Sequence, residues 1–186
     1  SAWWPHRLAP HFLSRRNSKT TMDRIEKNDL PGLFEALRDV FAAQIDLANK
    51  HNLPLVIHTR EAWADTFDVL DSVGVPERTI FHCFTGGENE ARECVKRGAY
   101  LSFSGIVTFK TADDVRQAAL WCPPENMLLE TDAPFLAPVP HRGRPNQPSL
   151  VPTVGTFIAD LRGEPVAQLA KTTTRNARLA FPGIAP

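Results

Sequence analysis

Three things are scarce or missing in this chain of 186 residues: paired cysteines, an imbalance of charge, and long apolar runs. The three cysteines, Cys83, Cys94 and Cys122, are odd in number and form no Cys-x-x-Cys pair, which fits a reducing compartment better than a disulfide-stapled secreted domain. Lysine plus arginine equals aspartate plus glutamate at 21 each, so no global positive field attracts nucleic acid. Work on nucleic acid would have to rest on local contacts and metal ions. No apolar run approaches the roughly 18 residues of a membrane span. The opening segment Ser1 to Ser14 has Trp3, Trp4 and Phe12, but Pro5, Pro10 and charges interrupt it, so it does not read as a signal peptide. The expectation is a cytoplasmic protein with no membrane partner. There is also no internal repeat and no low-complexity tract.

What is present is globular: 42% hydrophobic and 23% charged residues. Residues 1–32 have little periodicity and carry Arg15, Arg16, Lys19, Arg24 and Lys27 among polar residues, which predicts an irregular, solvated segment more readily than a basic arm on DNA. Periodicity then begins. Phe34, Leu37, Phe41, Ile45 and Ala48 recur at three- and four-residue intervals and predict one apolar face of a helix over Leu33 to Asn49. The short runs Leu53 to Ile57, Thr79 to Phe81, Ala99 to Phe103 and Met127 to Leu129 lack alternation, as strands buried on both faces do. Helical spacing fills the gaps, over Ala62 to Val73, Glu88 to Lys96 and Ala112 to Trp121, and later over Val151 to Leu161 and Pro165 to Leu179. Strand alternating with helix predicts an α/β fold with parallel strands. Four strands are half of an eight-stranded barrel, and the length falls short of the roughly 250 residues a complete one needs.

Polar residues fall at the ends of these strands. His58 closes the first, His82 the second and Asp132 the fourth, and in parallel α/β folds the C-terminal strand ends form the rim where ligands bind. Any one such histidine more often caps its strand and hydrogen-bonds locally. Three such residues in neighbouring units favour a shared site, and two imidazoles with a carboxylate suit a divalent ion that activates water and clamps phosphate oxygens. Cys83, a thiol without a partnered base, reads as packing. Trp63 and Phe84 read as core in preference to base-stacking platforms. His51, at the end of the first helix, reads as a capping or surface residue.

The words around these residues resemble the ordered signatures of the TatD family of metal-dependent deoxyribonucleases, which are amidohydrolase-like TIM barrels. They are Leu53-Pro54-Leu55-Val56-Ile57-His58-Thr59-Arg60-Glu61-Ala62, Phe81-His82-Cys83-Phe84-Thr85-Gly86, Ser102-Phe103-Ser104-Gly105-Ile106, and Leu129-Glu130-Thr131-Asp132-Ala133-Pro134-Phe135-Leu136-Ala137-Pro138. The last runs on as Pro140-His141-Arg142-Gly143-Arg144-Pro145-Asn146-Gln147-Pro148, and Thr173-Thr174-Arg175-Asn176-Ala177 follows near the end. The resemblance spans about Phe41 to Phe181 and implies the C-terminal half of a (β/α)8 barrel, here residues 33–186. It implies a hydrolase of DNA phosphodiesters, acting on single strands or 3′ ends, with a divalent cofactor: Mg2+, with Mn2+ or Zn2+ as alternatives. Carried over by position, His58 and His82 would ligate one ion and Asp132 another. Asp132 would also accept a proton from the attacking water. Glu130 would orient the site or bond the neighbouring backbone. Arg60 would meet a phosphate or pair with Glu61, and the loop of His141, Arg142, Gly143, Arg144 and Asn146 would line the substrate groove, with Arg142 the chief contact.

The chain departs from the family in one respect: it has neither an His-x-His pair at a first strand nor a bridging Glu in a Gly-Glu context. His6 and His11 lie five apart with no apolar strand leading into them and do not substitute. The expectation is weak metal binding and impaired cleavage by this chain alone, with a fragment as the favoured explanation. Two alternatives stand beside the nuclease: a noncatalytic remnant serving as a binding or assembly module, and an amidohydrolase-type enzyme acting on a small substrate.

Overall fold

A computed structural model describes residues 30–183. Its centre is a four-stranded parallel sheet in the order β1 (Leu55–Ile57), β2 (Thr79–Phe81), β3 (Tyr100–Phe103) and β4 (Met127–Leu129). Helices α1 (Leu30–His51), α2 (Trp63–Val73), α3 (Glu88–Lys96) and α4 (Asp113–Trp121) precede or connect the strands, and α5 (Val151–Arg162) and α6 (Val166–Ala180) follow them. The predicted α/β class with parallel strands is therefore observed. No helix among the described residues is long and apolar enough to cross a membrane. Most of residues 1–32 lie outside the described residues. Helix α1, however, starts three residues before the predicted Leu33. A proline at its second position removes no intrahelical bond, because the first N–H groups of a helix have no acceptor within it.

Alternation along the strands separates two faces. Leu55, Ile57, Phe81, Leu101, Phe103 and Met127 face the helices and form the main core with Leu70, Ala91, Ala118 and Ile158. Ile80 and Leu128 face the other way, into a smaller cluster with Tyr100, Ala177, Ala180 and Phe181. On β1 this second face carries Val56, which is 53% exposed. The predicted apolar stripe of α1 is likewise divided. Ile45 and Ala48 are buried, whereas Phe34 at 62% and Leu37 at 56% exposure meet no covering element among the described residues. Helical spacing identifies an apolar stripe but not whether a neighbour covers it.

Two polar anchors tie the layers together. Asn176 on α6 is fully buried and donates through Nδ2 to the carbonyls of Pro124 (2.7 Å) and Met127 (2.9 Å), fastening the last helix to the start of β4. Arg97, just after α3, donates to Asp71 on α2 (2.8 and 2.6 Å) and to Glu93 (2.7 Å), with its guanidinium 4.4 Å from the Phe67 ring centre.

Two outcomes are expected. Asn176→Ala leaves the buried Met127 carbonyl and the partly buried Pro124 carbonyl without their donor and should cost about 1–3 kcal/mol in urea unfolding, with cleft chemistry unchanged. The hydrogen bonds from Arg97 hold the carboxyls of Asp71 and Glu93 below their usual range. A carboxyl with a depressed folded-state pKa contributes stability above its unfolded value of about 4, and loses that contribution as pH falls through the folded value. Thermal unfolding between pH 7 and pH 2.5 should therefore show Arg97→Met less stable at neutral pH and less sensitive to acid. Both carboxylates are exposed to solvent, so the neutral-pH loss should be modest, part of it from the lost ring contact.

Candidate active site

Strand pairing aligns the C-terminal ends. Ile57 pairs with Phe81 and Phe103 with Leu129, and the ladder continues past the strands through His82 N–H to the Ile57 carbonyl (2.8 Å) and Glu130 N–H to the Phe103 carbonyl (3.0 Å). His58, His82 and Glu130 each stand two residues beyond Val56, Ile80 and Leu128, and so continue the second face of the sheet. Strands β2 and β4 are separated by β3, a span of about 10 Å. Across that span β3 presents Ser102 and Ser104, both buried and small. The gap lets His82 and Glu130 meet, with Nδ1 to Oε2 at 2.9 Å. On its other side His82 Nε2 lies 3.4 Å from Asp132 Oδ1, and the His58 ring centre is 5.8 Å from that of His82 at an interplanar angle of 52°.

The electrostatics follow from this geometry. Glu130, bonded to Nδ1, holds the His82 imidazole above its ordinary range, against burial and with Asp132 reinforcing the shift. With the Nδ1 proton donated to Glu130, the Nε2 lone pair faces a carboxylate oxygen, and two acceptors at 3.4 Å repel unless a proton or a cation lies near both. Histidine metal ligands commonly donate their second ring N–H to a carboxylate in this way. Ligands of one ion with bonds of about 2.0–2.2 Å also stand roughly 3–3.5 Å apart. Glu130 Oε1 is buried without a partner. His82 and Asp132 therefore fit a borderline or hard divalent cation. They do not complete its shell: among the described residues, no group of three or more His, Cys, Asp or Glu side chains is close enough to hold an ion.

His58 and Asp132 open onto a cleft of 590 Å³ whose lining also includes Arg60, Cys83, Phe109 and Phe135. Backbone strain is concentrated there. Of the five non-glycine residues with positive φ in the described chain, Glu61 (58°), Cys83 (48°), Asp132 (57°) and Leu136 (58°) all line this cleft. Left-handed conformations cost non-glycine residues about 1 kcal/mol or more, and they persist where the surroundings over-determine them. The Asp132 turn continues into a segment that lies directly on the backbone after β3. A Cβ at Gly105 would stand 2.1 Å from the Leu136 carbonyl oxygen, so only glycine admits that approach. Val139 N–H donates to Thr108 Oγ1 (2.9 Å) in the same seam.

The remaining predicted residues fall into place around the cleft. Arg60 is exposed at the rim, and no carboxylate among the described residues is within ion-pair reach of it, so the alternative pairing with Glu61 is not formed. Arg142 stacks over Phe109, 3.7 Å from the ring centre, and that ring lines the cleft. Asn146, expected with its loop to line the groove, is instead 4% exposed and bonded to backbone. Phe84 is buried against Trp63 and Phe103, as a core residue should be; Trp63 is half-buried and reaches the cleft wall. His51 is exposed in the last turn of α1. Sequence reasoning assigned no role to Phe109 or Phe135, yet both line the cleft. Phe135 is 65% exposed, and its position three residues past Asp132 was the available signal.

Cys83 lies beside His82 but is 3% exposed, and burial pushes its thiol up to about 11. Burial likewise pushes Cys122 up to about 12 and raises Cys94. A reactive cysteine needs a thiolate, so none of the three is poised as a nucleophile. Iodoacetamide at pH 8 should leave all three unlabelled in the folded chain and label all three after denaturation, read by intact mass. Rapid labelling of Cys83 alone would reverse this assignment.

Comparison with known proteins places the chain. Residues 22–182 match the family described as TatD related DNase. The chain is 44% identical over 177 residues to the uncharacterized metal-dependent hydrolase TatD of Mycobacterium tuberculosis, covering 94% of this chain and 67% of that protein. It is 44% identical over 144 residues to the uncharacterized metal-dependent hydrolase YcfH of Escherichia coli K12, covering 76% of this chain and 54% of that protein. Among solved structures, YjjV, a TatD homolog from Escherichia coli K12, superposes with a TM-score of 0.76 at 27% identity, over 84% of this chain and 60% of that one. The chain thus spans between about half and two thirds of the length of these relatives.

Proposed function

Since the chain belongs to the TatD related DNase family, we propose that it carries part of the site of a metal-dependent hydrolase that cleaves DNA phosphodiesters from single strands or 3′ ends. The observation that carries this reading is His82 Nε2 facing Asp132 at 3.4 Å, with Nδ1 bonded to Glu130. In this reading His82 and Asp132 would share one divalent ion with His58 beside it, where the family resemblance places Asp132 on a second ion; Mg2+ is the proposed ion, with Mn2+ or Zn2+ as alternatives. A divalent cation there would lower the pKa of water and neutralise charge on the phosphate. Asp132 accepts the proton of the attacking water, and Glu130 fixes the His82 tautomer so that Nε2 presents its lone pair. Arg60 and Arg142 meet the non-bridging phosphate oxygens. The four strands belong, in this reading, to the C-terminal half of an eight-stranded barrel. Three free, buried cysteines support a reducing, cytoplasmic setting.

The incomplete ligand set among the described residues favours one further feature: this chain alone should hold its ion weakly and cleave slowly. Its extreme form is a second reading, in which the chain binds without catalysing. The deciding measurement is release of nucleotides from single-stranded DNA by the 186-residue chain with millimolar Mn2+, beside a lactone, an amide and a phosphotriester. His82→Ala and Asp132→Asn should each lower DNA cleavage by roughly a hundredfold or more. Equal cleavage by both variants would end the nuclease assignment. No cleavage by any form would favour the binding module, and preference for a small substrate the amidohydrolase alternative.

A further inference from the structure

Asp132 sits in a left-handed conformation on a short turn. The turn's own bonds are few: Phe135 N–H donates to the Asp132 carbonyl (2.9 Å), and Ala133 N–H reaches Thr131 Oγ1 at 3.3 Å. A longer-range clamp comes from the Pro-rich loop. Asn146 Nδ2 donates to the carbonyls of both Thr131 (2.6 Å) and Phe135 (2.7 Å), one on each side of Asp132. Its own N–H donates to the Pro134 carbonyl (2.9 Å), and its Oδ1 accepts from Gln147 N–H (2.9 Å). Both amide hydrogens of the side chain are used, and the residue is 4% exposed. No other side chain among the described residues bonds to both ends of this turn.

We infer that Asn146 is a positioning residue that holds the Asp132 carboxylate in register with His82 by clamping the Thr131–Phe135 turn. The same bonds tie the loop bearing Arg142 to the backbone of the Asp132 turn, so the substrate-facing loop and Asp132 move as one body. The inference rests on the reading of Asp132 as a metal ligand and proton acceptor. A purely structural asparagine would lower global stability and leave the local geometry of folded molecules intact, which separates the two roles.

Two measurements on the 186-residue chain test this. Without metal, amide exchange by NMR should show Asn146→Ala exposing the Phe135 amide roughly tenfold or more, while the Glu130 amide, bonded to Phe103, keeps its protection. In Mn2+ titration calorimetry, Asn146→Ala should weaken binding by roughly 10- to 100-fold. It should weaken binding no further when introduced into Asp132→Asn, because the two changes act through one group. Asn146→Asp removes the two donors at constant size and should reproduce both results should the alanine variant fail to fold. Unchanged Phe135 protection overturns the clamp, as does the same loss of Mn2+ affinity in both backgrounds. Absence of Mn2+ binding by the wild-type chain counts against the metal reading instead, and the Phe135 amide then decides the clamp alone.

Discussion

The imidazole of His82 stands between two carboxylates, and the arrangement of the cleft depends on that contact. One nitrogen is bonded to Glu130 at 2.9 Å; the other faces Asp132 at 3.4 Å. Glu130 and His82 come from strands that are not neighbours. They meet because the register of three parallel strands brings their ends level and because β3 contributes only serines between them. A large side chain at Ser102 or Ser104 would fill the gap and part the pair.

The elements around this contact restrict motion. Beneath it lie Trp63, Phe67, Phe81, Phe84 and Phe103 in tilted and edge-to-face ring contacts, a packing that leaves the strand ends little freedom. Above it, the turn after β4 is pressed against Gly105, bonded to Thr108 and clamped by Asn146. Strained backbone at Glu61, Cys83, Asp132 and Leu136 is tolerated because these contacts exceed its cost. Membership of a metal-dependent hydrolase family agrees with such a rigid rim, because hydrolysis at a metal gains from groups fixed before substrate arrives.

Much of the fold was legible in the sequence. The runs ending in His58 and His82 and the run Met127–Leu129 are strands within two residues of the reading, and every predicted helix is found. Apolar periodicity reports burial directly, which is why it succeeded. It reported the wrong extent of burial on α1, where Phe34 and Leu37 continue the stripe of Ile45 and Ala48 but have no covering neighbour among the described residues. Asn146 and Asn176 show the same divide for polar residues. Both lie in family-like words, yet one clamps the Asp132 turn and the other fastens α6 to β4. An asparagine in a sequence does not announce which carbonyls it will find.

By itself, then, the sequence determined the order of strands and helices, the balanced charge, the unpaired cysteines and the presence of His58, His82 and Asp132 at strand ends, because these follow from local pattern and spacing. Tertiary structure alone decided that Glu130 reaches His82 across a serine-lined gap, that Arg142 lies on Phe109 and that Asn146 grips both sides of Asp132. Those contacts join residues far apart in the chain, and their distances are set by strand register and loop packing, which no local pattern encodes.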